Sequence, residues 1–364
     1  MKFRLGKKLM MVASAVAFVM TFQSCKDDPK PVVQQGEAGF FVINEGSFGN
    51  SNASISFYDR KTDVITNNIF AEKNGRPLGD QTQSMTVFGD RGYIVVQNSK
   101  KIEVINATDF SSLATITTGI TSPRYFVGIS TTKGYVSDWG ADGKTGTVKV
   151  IDLATNAVTK TISTGLGSNR MLKVGTLVYV TNSGGFGKDN TVKIIDSNTD
   201  EVIGSITTGD NPNSLQLDKD GNIWVAASGA TVYGGPPTYS VDEAKSTKGS
   251  ISKINSANTE VLRLTVEKVT SGAGNLNISP DGKTLYYTNN SAIYSVATSS
   301  TALPTSAFIS KNYYGLAVDP INGNVIGCQV PNFSSAGNID IYDATGNLKK
   351  TYVVGIAPNG VAFK

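Results

Sequence analysis

Between residues 146 and 165 apolar and polar positions alternate, with Val148, Val150 and then Ile162 set among threonines and lysines. That is the period-two pattern of a strand with one packed face. The stretch, GTVKVIDLATNAVTKTISTG, returns at residues 190–209 as NTVKIIDSNTDEVIGSITTG. Asp152 stands between its two halves, and a short carboxylate there can accept the backbone N–H groups that follow it, which favours a tight turn. The unit is therefore a predicted β-hairpin, and the hairpin repeats. Weaker copies of its first strand begin at Ile55, Ile102, Ile251, Ile293 and Ile339. The turn position then holds Asp59, Asn106, Asp152, Asp196, Asn255, Ala297 and Asp343, about 47 residues apart on average. Only the interval from Asp196 to Asn255 is clearly stretched, by roughly a dozen residues.

A second, apolar strand ending in small or amide residues precedes each hairpin, for example at residues 41–44, 135–139, 178–182 and 223–227. A third lies earlier still, as at residues 212–217, and is followed by a tight turn such as 218–221. Four strands at this period describe a propeller blade, and seven copies predict an all-β, seven-bladed β-propeller. We label the strands of a blade A to D, with A lining the axis. The first copy lacks its A strand, whereas the chain ends on residues 357–364, APNGVAFK, which match an A strand without followers. One blade is thus expected to be closed by pairing the C-terminal strand with the N-terminal blade, which removes an open sheet edge. The alternative is a stack of hairpins that does not close.

Residues 1–24 carry Lys2, Arg4, Lys7 and Lys8 ahead of an apolar run from Leu9 to Phe22, the pattern of a secretory signal. Ser24 and Cys25 follow and resemble the lipobox of bacterial lipoproteins, which predicts lipidation at Cys25. Lys26, Asp27 and Asp28 resemble the lysine-plus-acids tag that sends lipoproteins to the surface of some gut-dwelling Gram-negative bacteria. The expected address is the outer membrane, lipid-anchored and facing the exterior. Residues 25–38 are read as a flexible tether and 39–364 as the propeller. Without residues 1–24 the chain carries 29 basic and 29 acidic side chains, and no basic run of the kind that phosphate-backbone binding needs, so nucleic acid is not an expected partner. The chain has no histidine, which removes the commonest general base and metal ligand, and lipidation of Cys25 would leave Cys328 without a disulfide partner.

In a propeller the residues opening each A strand ring the mouth of the central channel. Aligned on Pro212-Asn213, that ring is Gln83, Arg124, Arg170, Asn213, Gly274, Tyr314 and Asn359, with no acid among them. The B–C loops on the same face bring Phe48, Trp139, Phe186 and Phe333. The stretched blade adds residues 230–248, with Tyr233 and Tyr239. Planar donors inside aromatic planes suit a large, partly flat ligand bearing amide or anionic groups. Some of the aromatics could instead brace their own loops, and Arg124 and Arg170 could instead bridge blades. The turn aspartates recur once per blade and read as turn-makers, Asp138–Gly143 lacks the spacing of a calcium loop, and Gly184–Gly187 opens no helix that could cradle a phosphate. No metal site, cofactor or catalytic residue is expected.

Asn44-Glu45-Gly46-Ser47-Phe48, Leu78-Gly79-Asp80 with Gln83-Ser84-Met85, Thr121 to Tyr125, Tyr313 to Leu316 and Val354-Gly355-Ile356 resemble motifs of the surface-layer-like (YncE-like) propeller lipoproteins. The likeness runs along the whole mature chain. It implies a seven-bladed propeller at the cell surface. Some members of that family capture vitamin B12 and other corrinoids and hand them to a TonB-dependent outer-membrane transporter. The corrinoid binders are richer in aromatics than this chain at Gly140–Gly143 and Gly184–Gly187. Three classes follow: a ligand-capturing surface lipoprotein with a corrinoid as leading ligand, an interaction or envelope scaffold, and an enzyme. The last is disfavoured because Glu45 and Asp80 are the nearest acids, and Glu45 could equally hold its own loop together.

Overall fold

The turn chemistry repeats as expected. In the computed structural model, which describes Met1 and residues 38–364, Asp152 Oδ1 accepts the N–H groups of Ala154 and Thr155, each at 2.8 Å. Asp59, Asn106, Asp196, Asn255 and Asp343 accept the N–H two residues on in the same way. These turns join the C and D strands of six blades. At the seventh such position Ala297 offers no acceptor, and the blade ends with its C strand, Ala292–Ala297. In place of a D strand the chain meets that edge through backbone hydrogen bonds of Ile293 with Phe308 and Ile309.

The described residues thus form seven antiparallel sheets, six of four strands and one of three. The A strands are Pro358–Phe363, Thr82–Phe88, Pro123–Ser130, Ser168–Val174, Pro212–Leu217, Gly274–Ile278 and Gly315–Val318, for blades 1 to 7 in turn. Blade 1 takes its A strand from the C-terminus: Val361 pairs with Val42 and Phe363 with Phe40, so the ring closes by main-chain hydrogen bonds. The leader, Cys25 and the tether as far as residue 37 lie outside the described residues.

Both faces of each B strand are covered, because one faces the preceding blade and the other the next. Phe40 and Val42 pack with Ile326 and Ile339 of blade 7, whereas Phe41 and Ile43 pack with Ile94 and Met85 of blade 2. One apolar cluster fills each of the seven blade interfaces, as where Tyr93 stacks on Phe126 at 3.9 Å between blades 2 and 3. Burying these side chains is the main term holding blade to blade, at about 1.5–3 kcal/mol for each large one. D strands carry alternating exposed residues because only one of their faces is covered, as in Glu260–Thr265.

Around the axis the A strands of neighbouring blades are linked through side chains. Ser84 Oγ donates to the Arg124 carbonyl at 2.7 Å, Gln216 Nε2 to Leu276 at 2.9 Å and Asn277 Nδ2 to Leu316 at 3.0 Å. Two longer crossings are tied to buried carboxylates. Glu103 accepts Arg76 Nη1 and Nη2, each at 2.9 Å, and Asp340 accepts Lys311 and Tyr313, each at 2.6 Å. The first crossing contains a short helix, Ile69–Asn74, that inserts Phe70 between blades 1 and 2.

Candidate functional site

The ring positions lie where the strands slip register. Pairing of A with B skips a residue between Thr82 and Ser84, between Pro123 and Phe126, between Ser168 and Met171 and between Pro212 and Ser214. Between Pro358 and Gly360 the same happens in blade 1. A bulged residue has no cross-strand partner, and its side chain is re-aimed. Gln83, Arg124, Arg170, Asn213 and Asn359 all stand in such slips. Tyr314 occupies the corresponding place just ahead of its A strand, and at Gly274 the ring has no side chain.

These side chains engage one another. Arg124 Nη1 donates to Gln83 Oε1 at 2.7 Å, and its guanidinium carbon lies 3.4 Å from the centre of the Trp139 ring. Gln83 Nε2 donates to Tyr125 Oη at 3.3 Å, and the Arg170 guanidinium lies 4.5 Å over the Tyr125 ring. Asn359 Nδ2 reaches the carbonyls of Thr82 and Gln83, each at 3.1 Å, and Asn213 Nδ2 reaches that of Ala273 at 2.8 Å. Arg124 therefore both bridges blades 2 and 3 and stands at the mouth.

An acid does enter this ring, which corrects the expectation drawn from the A strands alone. Glu45 follows the B strand of blade 1 and is only 8% exposed. Its carboxylate accepts Asn359 Nδ2 at 2.8 Å and Tyr314 Oη at 3.1 Å. Burial raises its pKa above the ordinary glutamate value, against the opposing pull of those two donors and of the Arg124 charge. Burial also lowers the pKa of Arg124 and raises that of Tyr314. By pattern alone Glu45 belongs to the loop after its strand and Tyr125 lies off the ring. Tyr125 follows Arg124 directly, and simple alternation puts it on the opposite face; the bulge brings both to the mouth.

Whether the rim aromatics face solvent is decided by their exposure: Phe186 is 83% exposed, Phe48 74%, Phe333 54% and Tyr314 43%. They form two edge-to-face pairs, Trp139 with Phe186 at 6.1 Å and Tyr314 with Phe333 at 5.4 Å. The glycine-rich loops make room for the first pair. A Cβ on Gly143 would stand 2.3 Å from the Phe186 ring, and one on Gly185 would stand 2.3 Å from the Gly143 carbonyl oxygen. Under the ring an axial cavity of about 350 Å³ is lined by Tyr125, Arg170, Gln216, Asn277, Asn359 and Leu316, among others. Tyr233 and Tyr239 are exposed on the long B–C hairpin of blade 5. The acids of the Asp138–Gly143 loop are committed to the backbone: Asp138 accepts Thr121, Ser122 and Gly140, and Asp142 accepts Lys144 and Thr145.

Fold and mouth together define a seven-bladed propeller with a polar ring inside an aromatic rim. Residues 38–357 match the family model described as "Domain of unknown function (DUF5074)", and the chain belongs to that family. No curated protein matches it. Among solved structures it is similar to a quinonprotein alcohol dehydrogenase-like protein from Bacteroides thetaiotaomicron, at 16% identity and a TM-score of 0.63, over 91% of this chain and 79% of that one. It is also similar to the hydrazine synthase of Kuenenia stuttgartiensis, at 16% identity and a TM-score of 0.58, over 77% of this chain and 89% of that one. At such identity these likenesses bear on the fold alone.

Proposed function

We propose that this protein is a surface-displayed, lipid-anchored capture protein that binds a small ligand at the propeller mouth. Cobalamin or another corrinoid is the leading candidate, for handover to a TonB-dependent outer-membrane transporter. The observation that carries the reading is the exposure of Phe48, Phe186, Tyr314 and Phe333 around a ring of planar polar heads. Exposed aromatic planes supply contact area at little conformational cost, and the inner amides fix orientation. A corrin is flat and fringed with amides. The signal-like leader, Cys25 and the motifs shared with the surface-layer-like lipoproteins support the surface address. The reading is non-catalytic, since the carboxylate of the ring, Glu45, is engaged by Tyr314 and Asn359.

The test is calorimetric titration of the lipid-free mature chain with cyanocobalamin, followed by co-elution on a sizing column. Saturable one-to-one binding is the expected result. No binding at micromolar concentrations would move the reading to an interaction or envelope scaffold. One observation favours that second reading: Tyr233 and Tyr239 stand exposed on a hairpin that adds nothing to the axial cavity.

A further inference from the structure

The mouth holds two guanidinium groups, Arg124 and Arg170, that make no salt bridge among the described residues; the charges of Glu45 and Asp138 act on Arg124 only from a distance. Elsewhere among the described residues Arg60 pairs with Asp319, Arg76 with Glu103 and Arg263 with Glu260, while Arg91 donates to the Leu153 carbonyl. Arg170 has no hydrogen-bond acceptor among the described residues; it lies over Tyr125 and lines the axial cavity. Arg124 spends Nη1 on the neutral Gln83, and its buried Nε has no acceptor. Beside it, the buried Trp139 Nε1 has none either.

The acids nearby make their hydrogen bonds to uncharged donors and to neither guanidinium. Glu45 accepts Tyr314 and Asn359, Asp80 accepts the Gly49 N–H and Asn98, and Asp138 accepts three backbone N–H groups. Guanidinium groups held in a half-buried site without a direct carboxylate partner carry a desolvation cost that a bound anion offsets. Guanidinium forks also suit the oxygens of a phosphate or carboxylate.

We propose that the ligand of this mouth carries an oxyanion, a phosphate or a carboxylate, held between Arg124 and Arg170 over the axial cavity. The inference rests on the reading of the mouth as a ligand site, and it names the charge that the ligand brings. Trp139 reports occupancy, since it stands beside Arg124 while the second tryptophan, Trp224, is sealed in a blade interface.

The experiment follows tryptophan fluorescence of the mature chain at low salt during titration with pyrophosphate and, separately, citrate. A saturable change with at least one of them is expected, weakening as sodium chloride is raised. Pyrophosphate alone would identify the anion as phosphate-type, and citrate alone as carboxylate-type. Arg170→Gln should weaken binding about tenfold or more, the scale of one lost charge-assisted hydrogen bond, and Arg170→Lys by less. No saturable response to either anion, or an unchanged response in a folded Arg170→Gln protein, overturns the proposal.

A second comparison uses only the wild-type protein. Cyanocobalamin carries a phosphodiester and dicyanocobinamide does not. Tighter binding of cobalamin by about tenfold, with the difference shrinking as salt is raised, supports the oxyanion seat. Equal binding of the two, insensitive to salt, overturns it and leaves ligand capture standing. Pyrophosphate binding with neither corrinoid bound supports the seat and removes the corrinoid.

Discussion

The guanidinium carbon of Arg124 lies 3.4 Å from the centre of the Trp139 ring, joining the bulged start of one strand to the loop after its neighbour. Such a stack is worth about 0.5–2 kcal/mol and holds the cation in one orientation. Trp139→Ala should therefore weaken ligand capture by about tenfold while the thermal midpoint falls by only about 2–4 °C. Calorimetric titration and thermal unfolding on the same samples check both halves. Loss of the folded state would mean that Trp139 serves the blade and not the mouth.

Glu45 makes stability depend on pH in an unusual direction. Burial holds its folded pKa above that of the unfolded chain, so the folded protein binds this proton more tightly. The stabilisation from protonation is fully present below the ordinary carboxylate value and is lost as pH rises through the raised one. Glu45→Gln removes that dependence. The stability of the variant relative to wild type should increase from about pH 4 to about pH 7, measured by urea unfolding at each pH. A flat difference would show that the donors on Glu45 fully offset its burial.

The ring closes through the pairing of Pro358–Phe363 with Gly39–Asn44. Deleting residues 358–364 strips Phe40–Asn44 of its inner partner and opens an apolar sheet edge. The truncated protein should lose its cooperative thermal transition or elute as aggregate. A monomer with an unshifted midpoint would show that the blade interfaces hold the ring without the terminal strand.

Cys328 sits wholly buried between blades 7 and 1, and burial pushes its thiol up to about 12. A thiol that remains protonated and covered is unreactive. A disulfide reagent should leave it untouched in the native protein at pH 8 and modify it within minutes in denaturant. Rapid native labelling would indicate that blade 7 opens locally.

The residues that announced the fold are those whose role is local. Asp152 and its counterparts make turns with their own next residues, so one strand pair suffices to recognise them, and the lone alanine at 297 marks the place where the D strand is missing. Gln83, Arg124, Arg170, Asn213, Tyr314 and Asn359 were also legible, because they recur at one position of a repeat. Glu45 and Tyr125 were not. Their presence at the mouth depends on a strand slipping register against its partner and on side chains arriving from a neighbouring blade, which no alternation pattern encodes. The helix at Ile69–Asn74 is likewise held by Phe70 reaching into a blade interface.

The amino-acid sequence by itself determined the number of blades, the closure of the ring and the face on which polar and aromatic residues gather. Period-two patterning and turn chemistry act over a few residues and repeat with the chain. Only the tertiary structure decided which group each charge at the mouth meets. Glu45 is met by Tyr314 and Asn359 from other parts of the sequence, while Arg170 is met by an aromatic ring and no acid. Charge pairing depends on distance in space and on burial, and both are set when seven separate sheets close on one axis.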